Sequence, residues 1–154
     1  MKRFLLVLGV FILASMSSCT SNKSDKTLVS REFPTLNWER FDYLKNTIVL
    51  DKPTTYDLEL DVTFDESYTF NYFMMTFAVF DLAGNPLRAK DYRFTLKDRD
   101  GLWKSESTEG QYHFRFPINN ELTLNEPGTY VFQIENRMPI TPLVGIKQIS
   151  IIRK

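Results

Sequence analysis

The side chains with which this chain could do covalent or ionic chemistry are few. They are one cysteine, Cys19, one histidine, His113, a row of alternating carboxylates at Asp57, Glu59 and Asp61, and an Asp98-Arg99-Asp100-Gly101 turn. Cys19 has the clearest assignment. It follows two cations, Lys2 and Arg3, an apolar run from Phe4 to Ala14, and the small residues Ser17 and Ser18. That is the plan of a bacterial lipoprotein signal: the cations stay in the cytoplasm, the apolar run enters the membrane, and the small residues leave an extended backbone for a signal peptidase. The thiol then takes up a diacylglycerol group as a thioether, and Cys19 becomes the mature N-terminus. Met16 stands three places ahead of it, where Leu is usual, as an apolar substitute of similar volume. The run cannot serve as a stable anchor, because crossing the hydrocarbon takes about 20 apolar residues. Plain secretion would leave a free thiol at the exposed end of an exported protein.

The other groups carry no reaction centre. His113 sits in a strand whose apolar face is supplied by Tyr112, Phe114 and Phe116, so its ring is expected to point to solvent. No second imidazole or thiol completes a zinc site. The sequence does not exclude a Ser-His-Asp triad, since triads assemble from distant positions. There is, however, no Gly-x-Ser-x-Gly elbow, no glycine-rich phosphate loop and no Cys-His pair. Glu109 falls in the wrong register to close a calcium loop begun at Asp98, so Asp98 to Gly101 reads as a solvated hairpin turn. The carboxylate row reads as the solubilising face of a strand. We therefore expect no enzyme, no metal and no cofactor.

Composition sets the frame. Removing residues 1–18 leaves 136 of the 154 residues, enough for one domain and a tether. The whole chain has 19 basic and 19 acidic residues, and loss of Lys2 and Arg3 leaves 17 against 19. A nucleic-acid partner is not expected from a chain without a basic excess. With Cys19 used for lipid, no disulfide is available, and the fold must hold by burial.

The elements that must position any site are strands. Residues 20–30 are short and polar, and the expected organisation is a signal peptide over 1–18, a lipidated N-terminus and flexible tether over 19–32, and a folded domain over 33–154. The clearest strand is Tyr56 to Phe64, where Tyr56, Leu58, Leu60, Val62 and Phe64 alternate with polar residues. A second is expected from Tyr68 to Asp81, with a bulge near Tyr72, closed by the Ala83-Gly84-Asn85-Pro86 turn against Tyr92 to Leu96. Further strands read as Tyr112 to Phe116, Leu122 to Leu124, Gly128 to Glu135 and Gly145 to Ile152. About eight short strands without a helical period predict an all-β fold, a single antiparallel β-sandwich of immunoglobulin-like or jelly-roll-like type.

Four blocks then carry a family resemblance: Tyr68-Thr69-Phe70-Asn71-Tyr72, Leu96 to Trp103, Glu126 to Glu135 with Arg137-Met138, and Leu143-Val144-Gly145-Ile146. In this order, behind a lipoprotein signal, the chain resembles the GldH family of gliding-motility lipoproteins of Bacteroidota. The resemblance implies a cell-envelope lipoprotein that supports surface gliding and is linked to the type 9 secretion machinery. Only Asp25 is acidic within residues 20–30, which favours the periplasmic face of the outer membrane over display on the cell surface.

The expected function is non-enzymatic, namely membrane attachment through lipidated Cys19 and binding of other cell-envelope proteins. A glycan-binding sandwich is the second reading. Its candidate contacts are Trp103, just after a hairpin turn, and Tyr112. It is not favoured, because most aromatics share strand faces with aliphatics and are accounted for as core. Cys19→Ala is expected to leave the precursor unacylated and the domain absent from the membrane fraction. Metabolic labelling with an alkyne fatty acid checks this, and continued labelling of the variant would overturn the assignment.

Overall fold

The computed structural model describes residues 26–154, so Cys19 and the expected signal peptide lie outside the described residues. Eleven strands follow in order: β1 (Thr27–Glu32), β2 (Asn37–Trp38), β3 (Leu44–Leu50), β4 (Thr54–Asp65), β5 (Tyr72–Asp81), β6 (Pro86–Thr95), β7 (Ser107–Thr108), β8 (Gln111–Leu124), β9 (Gly128–Asn136), β10 (Leu143–Val144) and β11 (Ile146–Arg153). One sheet has the order β1-β11-β4-β8-β7 and the other β3-β9-β5-β6, while β2 and β10 make a small ribbon. All ladders are antiparallel.

Setting aside the two-residue pieces, the first long strand pairs with the last, β1 with β11. The second pairs with the seventh, β3 with β9, then β4 with β8 and β5 with β6. The chain is in effect one long hairpin rolled into two facing sheets. That is a jelly roll. The immunoglobulin-like alternative, whose sheets divide into strands ABED and CFG, does not describe it.

Alternation explains the core. Tyr56, Leu58, Leu60, Val62 and Phe64 of β4 are all buried, as are Phe73, Met75, Phe77 and Val79 of β5 and Tyr130, Phe132 and Ile134 of β9. Tyr56 meets Phe132 edge to face across the two sheets, at 6.0 Å between ring centroids. In β8 the expected pair of strands is one continuous strand through Pro117, bent where its register with β4 shifts around Leu58. Glu121 sits there at φ 61, and its N–H donates to the Asp57 carboxylate at 2.9 Å.

Two boundaries are corrected. The domain starts at Thr27 rather than Phe33, since β1 pairs with β11 from Thr27↔Ile152 to Glu32↔Gln148, so the tether does not extend through residue 32. The strand expected from Tyr68 begins only at Tyr72, and the register shift in β5 lies at Val79/Phe80 instead of near Tyr72. Residues 66–71 form a loop because Tyr68 turns inward. It is fully buried, its hydroxyl donates to the Tyr72 carbonyl at 2.7 Å, and burial pushes its phenol pKa well up.

The winding gives the sandwich two ends. The short β3–β4, β5–β6 and β8–β9 connections lie at one end. The β1–β3, β4–β5, β6–β8 and β9–β11 connections lie at the other. β1 runs from the first end towards the second, so Lys26, just ahead of it, lies at the first. Phe132, with no exposed surface, touches both sheets. Phe132→Ala is expected to cost about 3–5 kcal/mol, as lost transfer free energy and the cavity add. Denaturant unfolding measures it, and an unchanged midpoint would contradict the packing.

Candidate functional site

Trp103 and Tyr112 are brought together, but chiefly against each other. Trp103 follows the 98–101 turn, whose Asp98 carboxylate accepts the N–H groups of Asp100 and Leu102, both at 2.9 Å. The turn delivers the indole onto the Tyr112 ring at the start of β8, 4.1 Å between centroids and 11° from parallel. Phe64, Tyr68 and Phe114 stand behind it at 6.1, 6.3 and 6.1 Å. The Lys97 ammonium lies 4.4 Å from the indole centroid and donates to the Tyr68 carbonyl at 3.0 Å. Burial lowers the Lys97 pKa. Both aromatic residues are half-buried, so they cap the core instead of offering a free face.

His113 points outward from β8 as its alternation requires. Its Nε2 is 2.9 Å from Asp61 Oδ1, and Arg115 reaches Asp61 Oδ2 at 2.8 Å. Glu59 meets Lys154 at 3.5 Å and Arg115 at 4.0 Å. The carboxylate row is therefore a paired, partly buried ladder on the outer face of β4, with only Asp57 of the three exposed. For Asp61, burial works to raise the pKa, but hydrogen bonds and charge from Arg115 and His113 outweigh it and hold the carboxyl below its usual range.

A further concave surface lies elsewhere, on the outer face of the four-stranded sheet where β5 begins and β6 and β9 end. It is a groove of about 530 Å³, floored by Met74 and Met138 and walled by Arg93, Arg137 and Arg40. Cross-strand register sets two rows: Met74 lies opposite Arg93, and Thr76 lies opposite both Asp91 and Glu135. Arg137 continues the first row, its N–H donating to the Met74 carbonyl at 3.1 Å. The acids are already engaged, Asp91 by the Thr76 hydroxyl and Glu135 by the Gln133 amide. Among the described residues none of the three arginines forms an ion pair. Arg93 lies over the Tyr72 ring at 3.7 Å, and Arg40 donates to the Met138 carbonyl at 3.3 Å.

At the rim stands Phe41, 75% exposed and held at φ 69. A bulky residue in the left-handed region is a true outlier, of the kind that collects at ligand clamps. Tyr43 supports it edge-on, at 6.5 Å between centroids. Sequence reasoning missed this groove. Arg40 and Arg137 lie in two connections and Arg93 on β6, far apart in the chain, and only the Arg137-Met138 pair falls within a block of the family resemblance.

Fold and site together define a jelly-roll β-sandwich with a cationic, aromatic-rimmed groove at the end away from the start of β1. The chain belongs to the GldH lipoprotein family, whose model matches residues 28–152. No curated protein matches it. Among solved structures it is similar to the native structure of a family 35 carbohydrate binding module from Clostridium thermocellum. The identity is 14%, with 71% of this chain and 68% of that chain covered, and the TM-score is 0.37. A likeness that loose bears on no ligand.

The Asp61 pairing has a pH signature. Because the folded pKa is lowered, its contribution is fully present above the unfolded carboxylate value of about 3.9 and is lost as pH falls through the folded value. Asp61→Asn should cost on the order of 1 kcal/mol at pH 7 and progressively less on acidification towards pH 3, read by denaturant melts at both pH values.

Proposed function

We propose that this protein is an outer-membrane lipoprotein, acylated at Cys19, that acts without catalysis by holding its groove end against another envelope protein. What carries the proposal is the groove rim, where an exposed, strained Phe41 stands beside three guanidinium groups that form no ion pair among the described residues. Guanidinium forks recognise carboxylates bidentately, and an aromatic anchor entering a partner's pocket is the usual centre of a binding hot spot. The chemistry that fits is a protein segment offering Asp or Glu side chains beside an apolar pocket. Tethering on a membrane raises the effective concentration, so a modest interface suffices.

Within this proposal the domain faces the periplasm and takes part in surface gliding or type 9 secretion, as the family resemblance implies. The glycan-binding alternative is less well supported, because the Trp103 face it would use is stacked on Tyr112.

A photo-crosslinking amino acid in place of Phe41 is expected to capture an envelope protein in living cells. The double variant Arg93→Glu with Arg137→Glu should abolish the capture, while His113→Ala leaves the cellular phenotype intact. No adduct at Phe41 together with loss of function in His113→Ala would favour an enzyme instead.

A further inference from the structure

The end of the sandwich from which β1 begins carries its own unexplained surface. The β5–β6 turn reads Leu82-Ala83-Gly84-Asn85-Pro86-Leu87, six residues without a charge. Leu82 is 72% exposed and Leu87 50%. On the outer face of the same sheet Val131 lies opposite Phe80, both half-buried, and Val49 on β3 is 69% exposed. The turn is rigid. Asp81 Oδ1 accepts the Asn85 N–H at 2.8 Å and Oδ2 accepts the Asn85 amide at 2.7 Å, so the nearest carboxylate is engaged within the turn. The neighbouring connections bring Asp51 and Lys52, and Glu126, so the patch is ringed by both signs of charge. An exposed apolar tip rimmed by charge has the composition of a surface that meets a membrane or a partner.

Chain geometry selects the surface. The Asn46 amide donates to the Leu28 carbonyl at 2.6 Å, which places the start of β1 level with Asn46, and Val49 lies three residues further towards the tip. At about 3.3 Å per residue the patch projects roughly 10 Å beyond that level. Six residues lie between Cys19 and Lys26, seven Cα–Cα steps that span at most about 25 Å. The lipid is thus within reach of the tip. Setting the groove end on the bilayer instead would make those residues double back along the roughly 20 Å from Phe80 to Met74, close to their full extension.

We propose that Leu82, Leu87 and Val49 form a membrane-contact surface that rests in the lipid interface and stands the sandwich with its groove facing away from the bilayer. This rests on acylation at Cys19. The lipid removes the chain's only thiol, so a cysteine introduced at Leu82 is uniquely labelled.

The acylated full-length Leu82→Cys protein, labelled with bimane, is reconstituted in phosphatidylethanolamine–phosphatidylglycerol vesicles with brominated acyl chains. Thr69→Cys, at an exposed site in the groove-end loop, is the control. An interfacial side chain lies about 5–10 Å into the headgroup and acyl boundary, so the Leu82 label should lose about half its intensity or more and the Thr69 label almost none. Vesicle-bound protein with an unquenched Leu82 label overturns the proposal. So does a label shielded by a second copy or another protein, seen as a spectral shift without bromine quenching. Protein that does not float with the vesicles defeats the acylation assignment, and this proposal with it.

Discussion

The groove end depends on one close approach. Gly145 lies at φ 89, and a methyl group added to it would sit 2.4 Å from the Tyr68 backbone nitrogen. Only glycine meets both conditions. The Gly145 N–H donates to the Leu36 carbonyl and its carbonyl accepts the Asp65 N–H, both at 2.8 Å, so three connections are tied at one residue. Tyr68, held there, reaches Met138 Sδ with its hydroxyl at 3.8 Å, and the same sulfur accepts the Met74 N–H at 3.2 Å. The groove floor is thereby an extension of the Gly145 contact, and the Trp103 stack leans on the same tyrosine ring.

The two sheets use their outer faces differently. On the five-stranded sheet, acids of β4 are met by bases from β8 and the C-terminal residue, which satisfies charge locally and leaves little to offer a partner. On the four-stranded sheet the arginines at the groove end form no ion pair among the described residues, and the opposite end of that face is apolar. An unequal distribution of this kind gives the domain a direction, which a uniformly charged sandwich would lack.

Much of the fold was legible where burial acts through one strand alone. The period-two stripes of β4 and β9 announced their faces, and the two Asp- or Gly-bearing turns announced the hairpins around β6 and before Trp103. What escaped notice depends on partners. β1 has only Leu28 and Val29 buried and resembles tether until β11 is beside it. β3 buries little besides its end residues, Leu44 and Leu50, and the first half of β6 is an exposed edge whose charges mask a strand. Tyr68 and Phe70 carry the right period for a strand, yet the Gly145 contact curls them into a loop. The site was least legible of all. Trp103 and Tyr112 were found as aromatics, but their mutual stacking is invisible in sequence, and the arginines of the groove are neighbours only after the roll closes.

The pairing of β1 with β11 also decides how the domain bears load. A pull on the N-terminus, with the groove end held, runs along β1 and stresses its ladder with β11 lengthwise, so that all the hydrogen bonds of that ladder resist at once. Were β1 attached at right angles to the pull, they would yield one after another like a zipper. The strand that sequence composition suggested was slack cord is therefore the member through which tension enters the fold.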